Sequence, residues 1–600
     1  MKLILRSLIL VLILGLSSTL WAQVPLPDTG KFSWEFYQAA MAGKTKRAAG
    51  QDVPVVSALL VTQEPATEDT LLLLESLGYT IVGTAGRFVQ VQAPIDLFVD
   101  PIAGVGSVEF IVDVDFPPVA DVMPPIGDID AEAQGGDDEP RAHTSGTLVI
   151  NADKVWESGH AGQGTKIAVI EWGYDTQNTF LSNRVPAPVY YSIRPVRQAP
   201  YYEAILGNSG SSDPDDREHG SACAMIAADV APHAEIYLLS VDAGLYSLYI
   251  GWLRALEFAV RELEVDVVTT QIGWVDVTSG ADGTGPLFDE IDRILARTNT
   301  LVTIAAGNHG GVNAAAHTGP GSASTWAYSA SFVEDAVTAR HVFDPGIETL
   351  TDRTSLWFTA SAGDRVTILL EWDDWRTATR TVDLDLYLYD AKYATMPVAV
   401  RLAKHLGNTA KPVESLRRFV IPYTGTFAVV VENRGHKADD LPLTDVQFRL
   451  YFWNHDSSSR FEHHTKCGIV REVAASGNPQ VIAVGAVDQD DLLVRTYSAG
   501  GPTFDGRQKP ELYAPDGVRG FPYLKYDQSC GFQGTSASAP HVAGAVAILR
   551  SAAPEASPEK ILAALRYGAN VCDSDPCAGP VLLIDLLDAV EYLPAPEKKK

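Results

Sequence analysis

Three stretches of this chain carry residue types that together can transfer an acyl group. The first is GTSASAPHVAGAVAILR, residues 534–550. It sets Ser536 between a Gly-Thr turn and a helix of small residues, with Pro540 in the first turn, where its missing N–H costs little. Ser536 Oγ then lies at a helix N-terminus, where backbone donors and the dipole favour developing negative charge. A lone serine in such a place is usually a helix cap; the whole Gly-Thr-Ser-x-Ser-x-Pro-His-x-Ala-Gly run is far more specific. The second stretch is HGSACAMIAADVAPHAEI, beginning at His219. A histidine at the mouth of a small-residue helix can serve a serine hydroxyl as general base. The third is TIAAGNHGG, a strand that ends in Asn308, whose amide can donate to a tetrahedral oxyanion. Alone, a histidine is most often a surface or core residue and AGN most often a turn. Only the three together point to chemistry.

Those residues need a scaffold, and the hydrophobic pattern supplies one. From Thr147 to about Ala339, short apolar strands such as TKIAVIEWG, AEIYLLSV, VDVVTTQIG and NTLVTIAAGN alternate with helical runs such as YIGWLRALEFAVRELE. Strands nearly continuous in Val and Ile, spaced by helices, predict a parallel sheet covered on both faces. From about Val342 to Asn454 the texture changes to alternating segments such as RVTILLEWD, VDLDLYLYD and YTGTFAVVVENRG, the pattern of a β-sandwich. After His455 the α/β texture resumes with PQVIAVGAVDQ, so the sandwich is an insertion. Upstream, Val53 to Phe116 reads strand, helix, strand, strand, helix, strand: a small split βαβ module with helices on one sheet. Pro117 to about Thr144 has no apolar periodicity and reads as a solvated acidic linker open to cleavage.

Composition narrows the classes. Six hundred residues are too many for one core and suggest several domains. Forty-six basic against 75 acidic residues give a net charge of −29, which repels nucleic acid and anionic membranes. Five cysteines exclude a disulfide-built scaffold or a multi-thiolate zinc array. Lys2 and Arg6, the apolar run Leu8–Leu16 and the small residue Ala22 describe a secretory signal peptide, and no later run is long enough to span a bilayer. Residue 23 is Gln, so lipid attachment is not indicated. Export permits disulfides: Cys572–Cys577 is the easiest pair, Cys467–Cys530 a possible second, with connectivity open. Cys223 reads as a buried free thiol.

On these motifs the chain resembles the subtilisin-like (subtilase) serine endopeptidases, over roughly residues 147–340 and 456–592. NADKVWESGHAGQGTKIAVIEWG, VIAVGAVDQ, YSAGGPTFDGRQKPELYAPDG and SPEKILAALRYGA add to the resemblance in order along the chain. It implies an α/β fold, a parallel sheet flanked by helices, with an α+β pro-domain at residues 53–116 and an all-β sandwich inserted at 341–455. The remaining boundaries are a signal peptide at 1–22, an N-terminal segment at 23–52, a linker at 117–146 and a tail at 593–600. By the same resemblance Ser536 is the nucleophile, His219 the base and then the acid, and Asn308 the oxyanion donor. The implied activity is hydrolysis of peptide bonds through an acyl-enzyme, by an exported protein made as a pre-pro-enzyme. Polypeptide substrates and its own pro-domain are the implied partners. A secreted or periplasmic monomer without nucleic-acid partners or a membrane span is expected.

Two positions depart from the family's pattern. Its first catalytic strand normally ends in Asp; this chain has Glu171-Trp172-Gly173, with Asp175 four residues on. A glutamate can accept from the histidine Nδ1–H, although its extra methylene moves the carboxylate by ~1.5 Å. Glu171 is preferred over Asp175 because geometry at a strand end is position-specific. In the substrate-binding segment the family has Ser-x-Gly where this chain has Gln271-Ile272-Gly273, followed by Trp274. Gln271 and Gly273 are the expected substrate-binding residues, with Gln271 either shaping the pocket or facing the protein. No catalytic metal or cofactor is expected; Asp383, Asp385 and Asp390 offer oxygen ligands for a structural Ca²⁺, or a solvated strand face. The alternatives from other classes are a weak or inactive peptide-binding protein on the same scaffold, and a glycan-binding protein led by its sandwich.

Overall fold

A computed structural model describes most of residues 34–593; the longer segments it leaves out are 116–142, 311–323, 344–352, 374–381, 402–411, 434–445 and 522–530. The expected signal peptide and nearly all of the expected linker therefore lie outside the described residues. Nothing long and apolar enough to cross a membrane occurs among the described helices.

The central sheet has ten strands. Its parallel core contains β5 (Lys166–Glu171), β6 (Val189–Pro195), β8 (Glu235–Val241), β9 (Val267–Thr270), β10 (Leu301–Ala305), β19 (Val481–Asp488) and β20 (Leu512–Asp516). The order is β21-β22-β20-β19-β10-β9-β5-β8-β6-β7, with β7 (Tyr202–Leu206) antiparallel at one edge and the hairpin of β21 (Asn570–Asp575) and β22 (Gly579–Leu583) at the other. Period-two alternation divides each strand between two layers. In β5, Ile167 and Val169 join one core with helices α3 (Pro214–Val230), α6 (Thr535–Ala552) and α7 (Pro558–Gly568). Ala168 and Ile170 face the other core, with α4 (Leu248–Arg261) and α5 (Pro286–Leu295). Both faces are covered, which is why these strands are continuous in Val and Ile instead of alternating with polar residues.

The N-terminal module has its own core. A four-stranded antiparallel sheet, order β2 (Thr80–Ala85), β3 (Phe88–Pro94), β1 (Val55–Thr62), β4 (Ile111–Asp115), carries α2 (Glu68–Ser76), capped by Thr67. An additional helix, α1 (Trp34–Ala48), lies in the N-terminal segment, to which the sequence pattern assigns no element. Phe36 anchors it edge-on to Phe98, and Arg47 pairs with Asp96. The opposite face of this sheet lies on the helices of the ten-stranded sheet: Leu59, Val61, Ala85 and Phe88 share a core with Tyr249, Trp252 and Leu253. Phe88 stacks on Tyr249 at 5.2 Å, Arg254 Nε donates to the Thr84 carbonyl at 2.8 Å, and Arg197 forks to Glu68 and Glu75.

The inserted unit is two antiparallel four-stranded sheets. One is ordered β11 (Ser324–Ser331), β18 (Gln447–Asn454), β13 (Arg365–Trp372), β16 (Val413–Val420). The other is β12 (Leu356–Ala360), β17 (Gly425–Asn433), β14 (Leu384–Asp390), β15 (Pro397–Arg401). Because β11 pairs along its length with β18, the sandwich begins before the expected residue 341. The small, polar run STWAYSAS has no alternation strong enough to reveal that strand. The three aspartates offered for Ca²⁺ do not meet on one ion. Asp385 is buried and accepts from Tyr387 Oη at 2.8 Å, whereas Asp390 lies five residues along the same strand, roughly 17 Å away at ~3.3 Å per residue. The disulfide also differs from the expected pairs: Cys467 bonds Cys577, while Cys572 is free and Cys530 lies outside the described residues. Neighbours in sequence lost to neighbours in space, because Cys467 bridges to Gly500 and Gly500 packs on Cys577.

Candidate active site

Open parallel sheets place ligands beyond the carboxyl ends of their strands. Here β5 ends in Glu171, β9 runs into Gln271, and β10 runs into Asn308, all at that edge. Helices α3 and α6 bring His219 and Ser536 to the same edge. Their close approach follows from composition: Gly544 of α6 lies against Val230 of α3, where a β-carbon would come within 2.5 Å of the valine side chain. One turn beyond His219, Cys223 Sγ lies 3.6 Å from the Ser536 carbonyl oxygen.

The Glu171 side chain is fully buried, and its Oε2 is 3.4 Å from His219 Nδ1, while the imidazole is 28% exposed. That separation is longer than a tight hydrogen bond. Gly220 makes it possible. A β-carbon there would stand 2.2 Å from the Gly173 carbonyl and 3.1 Å from Glu171 Cβ, so only glycine lets α3 sit this close to the strand end. Tyr174 closes the floor, buried, with its hydroxyl donating to the Val169 carbonyl at 2.7 Å. The ring of Phe532 meets the imidazole edge-on at 5.4 Å. Asp175 is partly buried, and its backbone N–H donates to Ser221 Oγ at 2.9 Å.

Cys223 is buried and free. Burial and then the charge of Glu171 push its thiol well above the ordinary value, which keeps it neutral. A neutral buried thiol is a poor nucleophile. The ligand atoms of Glu171, His219 and Cys223 all lie within 4.8 Å of one another, so this notch also has the donor types of a soft divalent cation site. The one hint of that cluster in the sequence is the i, i+4 spacing of His219 and Cys223.

Asn308 faces the start of α6. Its Oδ1 accepts from Thr535 N at 2.9 Å and from Thr535 Oγ1 at 2.8 Å. A backbone N–H can only be met by an acceptor, so Nδ2 is the atom left to donate. It lies beside Gly534, where a β-carbon would come within 2.9 Å and where φ is +111°. Ser536 is two residues on, in the first turn, 9% exposed. The residue after Asn308 is gripped by the sandwich: His309 packs edge-on between Tyr451 and Trp453 of β18, each at 5.5 Å.

Of the two expected substrate-binding residues, Gln271 turns inward. It is 4% exposed and its Nε2 donates to Thr269 Oγ1 at 2.7 Å, so its NH2 is committed to the preceding strand. Gly273 is partly exposed at the strand's end, and Trp274 lies outside the described residues. Sequence reasoning missed the buried carboxylate of Asp516, which accepts from Gly534 N at 2.6 Å. An acidic residue inside the otherwise apolar run LYAPDG was the available signal.

Residues 454–576 match a family model described as the subtilase family. The fold is subtilisin-like. The matched span contains Ser536; Glu171, His219 and Asn308 lie upstream of it. Among solved structures, the CspB protease of Clostridium perfringens is similar at 15% identity and a TM-score of 0.52, covering 74% of this chain and 98% of that one. At that identity the likeness speaks for the fold.

Proposed function

We propose that this subtilisin-like chain is an exported serine endopeptidase, made as a pre-pro-enzyme, that cleaves peptide bonds through a Ser536 acyl-enzyme. The observation that carries the reading is the convergence of Glu171, His219 and Ser536 at the carboxyl edge of the sheet, with the Glu171 carboxylate 3.4 Å from His219 Nδ1. In this mechanism Ser536 Oγ attacks the scissile carbonyl and His219 Nε2 takes its proton. Glu171 holds Nδ1–H, fixes the tautomer and offsets the charge of the imidazolium. Asn308 Nδ2 and the first amides of α6 donate to the oxyanion. His219 then passes the proton to the leaving amine, and water reverses the sequence to release the acid. These steps draw on side chains and backbone alone. The core shared by Phe88 and Tyr249, with the Arg197 fork, supports the reading of the N-terminal module as a docked pro-domain. Cleavage within residues 117–146 would release it.

The test is reaction of purified full-length protein with a fluorophosphonate probe, alongside Ser536→Ala. Labelling that disappears in the variant, together with release of an N-terminal fragment by the wild type alone, is expected. A processed wild type that never labels would leave the peptide-binding reading, for which the glutamate at position 171 is the motivating departure.

A further inference from the structure

We propose that Asp516 is a positioning residue for the serine turn: its buried carboxylate holds the Gly534 amide and so sets where Ser536 Oγ lies. The proposal rests on the reading of Ser536 as nucleophile. Asp516 ends strand β20 and is 0% exposed. A carboxylate taken fully out of water is costly unless its oxygens are met by donors of good geometry. Here they are. Oδ1 accepts from Gly534 N at 2.6 Å, and Oδ2 accepts from Arg495 Nε at 2.6 Å and from Tyr497 Oη. Arg495 reaches on to Asp488 at the end of β19, and Tyr497 Oη is 3.2 Å from Gly534 N. The carboxylate is therefore fixed by the sheet on one side and presents one oxygen to the serine turn on the other.

Gly534 is the residue that turn depends on. It immediately precedes α6, has φ +111°, and supplies no side chain to cap the helix. Its flank lies on the Asn308 amide, so it cannot gain a side chain there. The turn is held instead from two directions. Asn308 Oδ1 takes the Thr535 amide and hydroxyl, and Asp516 takes the Gly534 amide. Asn308 follows β10 and Asp516 ends β20, strands of the same sheet whose β5 carries Glu171. Ser536 is thus referenced to the rigid element that also places the acid and the oxyanion donor. A reacting group misplaced by about 1 Å loses roughly 10²-fold in rate. Loss of the carboxylate leaves Gly534 N with only a tyrosine hydroxyl that has itself lost its acceptor, so a displacement of that order is the expected effect.

Full-length Asp516→Ala, Asp516→Asn and Tyr497→Phe separate positioning from simple stability. Turnover of a peptide substrate is measured per site titrated with the fluorophosphonate, so that misfolded protein does not count. Asp516→Ala is expected to lower kcat about 10²-fold with KM within about twofold. Asp516→Asn retains an acceptor for Gly534 but turns an NH2 donor toward Arg495 Nε, so it should recover only part of the loss, and Tyr497→Phe, which keeps the carboxylate and Arg495, should lose less than either. A lowered Tm with wild-type turnover per titrated site overturns the proposal. Should Asp516→Ala fail to fold, the same kcat criterion applies to Tyr497→Phe. If wild type does not label at all, the nucleophile reading has failed instead. The positioning claim is then read from hydrogen exchange, where Asp516→Ala must accelerate exchange in peptides covering 531–540 while β10 peptides keep wild-type rates. Unchanged exchange there overturns it.

Discussion

Gly220→Ala pits two effects of known sign against each other. Gly220 is inside helix α3, where alanine is ordinarily preferred over glycine by ~1 kcal/mol. Against that stands the Gly173 carbonyl, 2.2 Å from the position the new methyl would take. The obstructing atom is backbone, so no rotamer change relieves it, and overpacking of this kind costs ~1–3 kcal/mol. The clash should win, leaving a net loss of about 1 kcal/mol. Relief requires α3 to back away from the end of β5 by roughly 1 Å, which carries His219 off Glu171 and from Ser536. A shift of that size costs about 10²-fold in turnover. Gly251→Ala in α4 is the internal control, because its β-carbon would meet only Val241 Cβ at an ordinary 3.8 Å. Thermal melts and titrated kcat on both variants decide the matter. Gly251→Ala should melt at or above wild type with unchanged turnover, whereas Gly220→Ala should melt lower and turn over far more slowly. A Gly220→Ala protein that is more stable and fully active would refute the close-approach argument.

Glu171→Gln should lower kcat by ~10⁴-fold, the order of loss that removing the acid member alone causes in subtilisin, while Asp175→Asn should cost less than about tenfold; the reverse ranking in folded proteins would move the acid to Asp175. Cys577→Ser opens a bridge spanning 110 residues and should cost up to ~4.7 kcal/mol by loop entropy, whereas Cys572→Ser should leave the urea midpoint in place. Peptide mapping that finds Cys572 bonded to Cys577 would contradict that pairing. The Arg197 guanidinium holds the Glu68 and Glu75 carboxyls below their ordinary range. Docking of the N-terminal module should therefore be strongest above that range and weaken as pH falls through the lowered values. Arg197→Ala should remove this dependence, which co-elution of the cleaved fragment with the enzyme from about pH 3 to about pH 7 would measure.

What the sequence disclosed and what it hid divide along a physical line. The central strands of the sheet were legible because burial on both faces forces Val and Ile runs such as IAVI and LVTIA, spaced by helices, whereas the strands toward its edges, β6, β7, β21 and β22, carry no such run. The position of Ser536 was legible because a helix start after Gly-Thr is local. Strand β11 was not, since STWAYSAS gains its place only by pairing with β18, more than a hundred residues away. The inward turn of Gln271 was equally hidden: an amide at a strand end can face either way, and Thr269 Oγ1 decided it. Cys467 and Cys577 are brought together by tertiary contacts around Gly500 that no spacing rule encodes.

The small residues that looked like mere helix composition are the structural device behind the site. SACAMIAA in α3 and SASAPHVAGAVA in α6 carry almost no side-chain bulk on their shared face, and both helices are buried there. Larger residues would gain more hydrophobic free energy per position, ~0.8 kcal/mol for each added methylene. They would also hold the helix axes apart. A thiol at position 223 touches the Ser536 carbonyl only because nothing larger intervenes, and Gly220 lets the same helix rest on the end of β5. One helix is thereby pressed at once against the strand that bears the acid and the helix that bears the serine, with His219 at the point where both contacts end. Stability per residue is given up along that seam, and what it leaves room for is the close approach of Glu171, His219 and Ser536 on which the proposed mechanism depends.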